Sequence, residues 1–169
     1  MALPPGHFTL KTAQDLYQKL ERDFTALRAA PTSADACFNF FVTAEHLPEW
    51  KYAGDGKRAN ELRKEHALLR VCSQLANGAK HFETRDQRHN AVVSTTEVTI
   101  QKLSLSGKAE ASDNDAGAVN EFLIMLNSNE AEELGQGEIT ATELAGRILE
   151  FWKRQLSSSK GNNLLFLAP

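Results

Sequence analysis

Four polar side chains in the middle of the chain have the residue types that acid–base chemistry on a phosphate ester requires. Arg70, Asn77, Lys80 and His81 lie within twelve residues of one another. An RNase that works without a metal ion needs an imidazole near the attacking hydroxyl and a cation on the phosphate. His81 with Arg70 or Lys80 meets that requirement, so these three are the candidate catalytic residues.

A solvated helix face is the simpler interpretation of the same residues, and we favour it. Charged side chains repeated along one side of a helix normally face water. Lys80 and His81 also stand near the C-terminal end of the predicted helix, where positive charge interacts favourably with the helix dipole. The residue types alone therefore do not establish an active site.

The helix that carries these residues is predicted to run from Arg58 to Phe82. Its polar side also includes Arg63 and His66. Gly78 costs about 1 kcal/mol relative to alanine inside a helix, so its presence suggests the close approach of another element or of a ligand. The apolar side covers about half of the helical wheel and predicts a place in the core. Its members are Leu62, Leu68, Leu69, Val71, Cys72, Leu75, Ala76, Ala79 and Phe82.

A second polar stripe is predicted on the preceding helix, which is apolar on its other sides and begins after Ser33. The stripe consists of Asn39, Thr43, His46 and Trp50. Pro48 makes the last turn of this helix doubtful, because it pushes Leu47 away from the helical region. The candidate ligand-binding residues on the two helices are Asn77, Gly78, Lys80, His81, His46 and Trp50.

One loop joins the two helices, so they are expected to be antiparallel neighbours. That topology places His46 near residues 58–66 and His81 near the start of the preceding helix, around Asn39. It therefore argues against a shared site of His46 and His81. Glu45 lies on the apolar side of its helix, so its carboxylate must be paired, have a raised pKa or reach solvent near the helix end.

The motifs of several enzyme classes are missing. The sequence has no HxxxH, CxxC or HExxH pattern, so we predict no metal site and no cofactor. It has no serine in a GxSxG turn and no glycine-rich loop followed by Lys-Ser or Lys-Thr. The two cysteines, Cys37 and Cys72, fall on apolar helix faces and are interpreted as core thiols in a reducing compartment.

Composition and charge place the chain among cytoplasmic globular proteins. The 169 residues carry a net charge of −3, which gives no overall attraction to nucleic acid or to a membrane. No leader peptide and no membrane span are visible. Residues 57–108 hold ten Lys/Arg against five acids, whereas residues 109–145 hold nine acids and no base. This asymmetry indicates an anionic partner for the basic half, attraction between the halves, or two solvated faces.

The predicted fold class is α+β, mostly α: a bundle of three N-terminal helices and one C-terminal helix, with a small antiparallel β-hairpin at about 91–127. A capping box at Thr12 starts the first helix, and another at Thr140 starts the last. Residues 128–137 are predicted to form a polar turn. We expect one domain over 1–159, followed by an apolar tail at 160–169, whose residues 164–169 are a possible self-association segment.

Two stretches resemble a group of small bacterial proteins without a known activity. They are FFVTAEHLPEW at 40–50 and LANGAKHF at 75–82, which match an FFxxAxHLxxW helix and an LANGxKH helix. More distantly, the helical arrangement resembles the HEPN superfamily of RNases and nucleotide-linked defence proteins. The usual HEPN signature is Arg, four to six residues, then His. The spacings here depart from it: three residues separate Arg85 from His89, and ten separate Arg70 from His81.

Two functions of different classes follow. The first is a non-enzymatic binding or regulatory module of the bacterial cytosol, with an unknown protein or RNA as its partner and possible homo-oligomers formed through residues 164–169. The second is a metal-independent, HEPN-like RNase that uses His81 with Arg70 or Lys80.

Overall fold

A computed structural model describes residues 10–80, 90–101 and 118–161, so the prediction for His81 and most of the apolar tail lie outside the described residues. The described helices are α1 (Ala13–Ala29), α2 (Ala34–Lys51), α3 (Gly56–Glu65), α4 (Ala67–Lys80), α5 (Ser128–Leu134) and α6 (Ala141–Gly161). The strands are β1 (Val92–Gln101), β2 (Ala118–Leu126) and β3 (Glu138–Thr140). The predicted fold class, α+β and mostly helical, is confirmed.

The first helix forms as its sequence predicts. Thr12 and Asp15 make a reciprocal capping box, in which each side chain accepts from the other residue's backbone N–H. Leu16, Leu20 and Leu27 are buried on one side of α1. This stripe packs against α2 and α6.

The second helix is the centre of the bundle. Phe40, Ala44 and Leu47 are fully buried, as expected for a helix that is apolar on nearly every side. Contrary to the expectation from Pro48, α2 continues regularly to Lys51. Proline removes only one hydrogen bond so close to the helix end, and the Pro48 carbonyl still accepts from Tyr52 N at 3.2 Å. Burial of Pro48 and Leu47 offsets that single loss.

The single helix predicted for 58–82 is wrong, because the described part of this segment forms two helices, α3 and α4. His66 adopts an extended backbone between α3 and α4, with φ −127° and ψ 120°. Its imidazole packs edge-on to Phe151 at 4.8 Å between ring centroids. The freed Ala67 N–H donates to Glu133 Oε1 at 2.7 Å. The break is therefore stabilised by a carboxylate 66 residues away in sequence, which no local signal reveals.

The sheet has the order β1-β2-β3 and is antiparallel throughout. Its β1–β2 pair confirms the predicted strands, with a bulge between Val92 and Ser94. The predicted polar turn at 128–137 is wrong, because α5 occupies most of it. Asn127 caps α5 by accepting from Asn129 N and Glu130 N, and Gly135 ends it at φ 76°. β3 has only three residues, too few to show the alternation of apolar and polar side chains that predicts a strand.

The last helix completes the core. Trp152, Ile148 and Leu144 are fully buried. Half of the predicted capping box forms: Thr140 Oγ1 accepts from Glu143 N at 3.2 Å, while the Glu143 carboxylate accepts from Arg147 instead. Within the described ranges, no helix combines the length and the apolarity that crossing a bilayer requires.

Candidate functional site

A polar network joins α2, α3 and α4, and Glu45 lies at its buried end. The Glu45 and Arg63 side chains are each only 12% exposed, and Arg63 Nε lies 3.0 Å from Glu45 Oε1. Ser73 Oγ donates to the same oxygen at 3.2 Å. Burial raises the pKa of Glu45, and the opposing effects of Arg63 and Ser73 do not fully offset it. Glu45 is thus paired and also has a raised pKa, two of the three outcomes that its position predicts.

Arg63 connects Glu45 to the surface. Its Nη2 donates to the Glu45 carbonyl at 2.8 Å and to Glu49 Oε1 at 3.2 Å. The opposite oxygen of Glu49, Oε2, lies 3.6 Å from His46 Nδ1. An arginine that the solvated-face interpretation leaves in water therefore fastens α3 to α2.

His46 and Lys80 meet at the exposed end of the network, where His46 Nε2 is 3.3 Å from Lys80 Nζ. An ammonium group can only donate, so a hydrogen bond between the two requires Nε2 as the acceptor. This contact brings His46 to the C-terminal end of α4, contrary to the topology that was expected to keep His46 apart from His81, although His81 itself lies outside the described residues. That expectation assumed one straight helix, and the break at His66 removes the assumption.

Of the other polar residues predicted on these helices, Asn77 joins the network, whereas Thr43 and Trp50 lie outside it. Asn77 Nδ2 donates to Ser73 Oγ at 3.4 Å, which adds Asn77 to the network. Thr43 faces α1 instead, where it accepts from Lys19 Nζ at 2.8 Å. Trp50 is partly buried and packs against the core. The fourth member of the predicted stripe, Asn39, is exposed, so the stripe is divided among four surroundings.

Arg70 belongs to a different cluster. Its Nε donates to Glu130 Oε1 at 2.7 Å, and its Nη2 donates to Glu133 Oε2 at 2.6 Å. Its Nη1 donates to the Lys64 carbonyl at 2.7 Å. Burial lowers the pKa of Arg70, but the two carboxylates outweigh burial and the net shift is upward. The guanidinium thus fastens α4 to α5 and to the end of α3.

An apolar groove of about 480 Å³ lies between α2, α4 and the β1–β2 sheet. Phe38 is 41% exposed in it and Val93 is 70% exposed, which is unusual for side chains of this size. The groove is lined by Ala34, Cys37, Phe38, Phe41, Gln74, Leu75, Gly78, Ala79, Val92, Val93, Ser94, Thr95, Phe122, Ile124 and Ala141. Most of these residues were not site candidates, because the groove exists only once the elements are assembled.

Among the predicted ligand-binding residues that the structure describes, Gly78 alone lines this groove. A Cβ added there would meet no heavy atom within 4 Å, so no other described element approaches Gly78 closely. The suggestion that a neighbouring element requires this glycine is therefore wrong for the described residues. The other suggestion, a ligand at this point, stays a prediction.

The thiols have the character of core groups. Burial raises the pKa of Cys37, at the groove wall, to about 11. Burial also raises the pKa of Cys72 well above its ordinary value, and its Sγ lies 3.6 Å from the Phe41 carbonyl. Neither thiol has the lowered pKa of a cysteine nucleophile.

The described residues contain no group of three or more His, Cys, Asp or Glu side chains arranged to hold a metal ion. Comparisons of the chain with protein-family models, with curated proteins and with solved structures give no match. The two resemblances described from the sequence therefore stay predictions, and the function must be argued from the geometry.

Proposed function

We propose that the protein is a non-enzymatic binding module whose ligand occupies the apolar groove between α2, α4 and the β1–β2 sheet. The observation that carries this proposal is the groove itself, about 480 Å³ in volume, with Phe38 and Val93 left exposed on its walls. A concave, mostly apolar surface with a few polar groups is the usual form of a ligand site. Exposed apolar side chains grouped at one place mark an interaction surface.

The polar network and the separate Arg70 cluster support the same proposal, because their charged side chains already bind one another. The Glu45 and Arg63 side chains are mostly buried and bind each other, and Arg70 is bound by two carboxylates. Groups held in this way stabilise the packing of helices, and a substrate would have to displace their present partners. The free thiols of Cys37 and Cys72 are consistent with a place in the cytosol.

Replacing Ala79 by glutamate tests the groove. Ala79 is exposed and lines the groove, so the charge is tolerated in the free protein but is costly beneath an apolar ligand. With the neutral dye Nile red as the probe, we expect the fluorescence titration to give at least about a tenfold weaker affinity, or about 1.4 kcal/mol.

The matched control is Ala26→Glu, which places the same charge on an exposed alanine of α1, outside the groove. This variant should bind Nile red as the wild type does. Equal affinity in all three proteins would show that the dye binds elsewhere and would contradict the proposal.

The alternative function is the metal-independent RNase, and one contact favours it. Lys80 Nζ lies 3.3 Å from His46 Nε2, so a cation and an imidazole meet immediately before residue 81. Incubation of RNA in EDTA with wild type, His81→Ala and Lys80→Ala tests this function. We expect no cleavage by any of the three; cleavage by the wild type that both variants lose would establish the RNase.

A further inference from the structure

We propose that the occupant of the groove is the apolar segment 164–168 of a second copy of this chain, bound as an extended strand along the outer edge of β1. This inference rests on the proposed binding function of the groove and names its ligand. It joins two features: an edge strand beside an apolar groove, and an apolar segment of the same chain.

The outer edge of β1 lies along the groove. Sheet order makes β1 an edge strand among the described residues, with β2 on its other side. Four consecutive residues of β1, 92 to 95, line the groove. The lining also includes Phe122 and Ile124, which lie two residues apart on β2, so the groove lies over one face of the sheet and reaches the outer edge at β1. The bulge between Val92 and Ser94 interrupts the alternation of side chains, so consecutive residues of β1 line the groove there.

Most of this edge lacks the charged and proline residues that usually prevent strand pairing, although a bulge between Val92 and Ser94 interrupts its start. Over its ten residues, β1 has one charged side chain, Glu97, and no lysine or proline. Residues 93–97 are all exposed. A long and nearly uncharged edge strand is a template for an added strand.

Gln74 already imitates a neighbouring strand at the start of this edge. Its amide nitrogen donates to the Val92 carbonyl at 2.9 Å, and its amide oxygen accepts from Val92 N at 2.8 Å. The backbone of Val92 thus points its hydrogen-bonding groups into the groove. A peptide laid beyond Gln74 can continue this pairing with residues that follow Val92.

Residues 164–168, Leu-Leu-Phe-Leu-Ala, have the chemistry that such a site would take. The segment has no charge and carries three leucines and one phenylalanine, which suit an apolar groove beside a strand edge. Pro169 follows it and has no N–H for a ladder, so pairing would end there.

Chain geometry favours a second copy as the donor. Ala141 lines the groove at the start of α6, and Gly161 ends that helix. The two residues are about 30 Å apart at the helical rise of 1.5 Å per residue. Six residues, from Gly161 to Leu167, span at most about 20 Å when extended. The segment therefore does not reach the Ala141 end of its own groove.

A two-fold arrangement removes this limit. When the α6 helices of two copies run antiparallel, the C-terminal end of each lies beside the N-terminal end of the other, where the groove begins. Each copy then donates one segment and accepts one, and the contact closes as a symmetric dimer.

Light scattering on full-length variants tests the inference. The wild type is expected to have twice the 18.7 kDa mass of one chain. The variant Phe166→Glu has an intact groove and a charged segment, whereas Ala79→Glu has an intact segment and a charged groove. Each variant alone should be a monomer, with a dissociation constant at least about tenfold higher than that of the wild type. Asn163→Glu and Ala26→Glu, which carry the same charge elsewhere, should stay dimeric.

Mixing the two monomeric variants gives the sharper result. The pair retains one intact segment and one intact groove, so a mixed dimer should form. A wild type that is monomeric, a Phe166→Glu protein that stays dimeric, or a mixture without mixed dimers overturns the inference. Failure of the proposed function is separate, since it is measured where no segment occupies the groove: it appears as equal Nile red affinity in Phe166→Glu and in the double variant Phe166→Glu, Ala79→Glu.

Discussion

Replacing Arg63 by alanine is expected to lower the free energy of unfolding by about 3 kcal/mol at pH 7. The reason is Glu45, whose side chain is 12% exposed and whose only cationic partner within 4 Å among the described side chains is Arg63. Removal of the guanidinium leaves a buried carboxylate that keeps the hydrogen bond from Ser73 but has lost its cation. Urea denaturation of both proteins measures the change.

The loss should depend on pH in a definite direction. The pKa of Glu45 is raised in the folded protein, so the folded state binds this proton more readily than the unfolded chain does. Its ionisation therefore destabilises the fold as pH rises through the folded pKa, and protonation relieves that cost as pH falls. Without Arg63 the pKa rises further, so the difference between variant and wild type should shrink from pH 7 to pH 5.

Two further variants separate charge from packing. Arg154→Ala removes an exposed arginine from α6 and should change stability by less than about 0.5 kcal/mol. The double variant Arg63→Ala, Glu45→Gln removes the unpaired charge and should recover part of the loss. A loss in Arg63→Ala that is equal at pH 7 and pH 5 would contradict the buried ion pair.

Replacing Arg70 by alanine is the second large effect, again about 3 kcal/mol of destabilisation. Glu130 is buried and would lose the partner at its Oε1, while Glu133 would keep only the Ala67 N–H. Both carboxylates belong to α5, so this short helix should unfold locally before the rest of the protein does. Hydrogen exchange in residues 128–134 is expected to accelerate more than exchange in α1.

This variant also tests the form of the RNase alternative in which Arg70, rather than Lys80, acts with His81. The ion pairs predict a structural loss, which a conservative Arg70→Lys change should partly restore. A catalytic Arg70 predicts the reverse: normal stability and lost RNA cleavage. Unchanged urea denaturation in Arg70→Ala would contradict the structural role.

Elements whose start or conformation depends on neighbouring residues could be predicted from the sequence. The capping box at Thr12 and the β-branched run in β1 act within a few residues, and α1, β1 and β2 appear where these patterns place them. The end of α2 could not be predicted in this way, because burial of Pro48 outweighs the backbone preference of Leu47. α5 does have sequence signals, Asn127 and Gly135, but they were interpreted as a turn.

The break at His66 and the groove depend on distant parts of the chain. Glu133 supplies the Ala67 N–H with its acceptor, and no pattern around His66 contains that information. The groove needs the first half of α2, the end of α4 and the sheet edge together. Gly78 gave the only local indication of it. The described geometry engages most of the polar candidates in helix packing.

Amide chemical-shift mapping tests most directly whether the groove, rather than the polar network, is the binding surface. The full-length Phe166→Glu protein, labelled with nitrogen-15, would be titrated with a peptide of residues 161–169. The groove predicts the largest shifts at Gly78, Val93 and Ser94, with His46 and Glu49 little changed. Shifts centred on His46 and Glu49 would contradict the account. So would the absence of shifts when the peptide is present at the concentration at which Nile red, in its own titration, binds this protein.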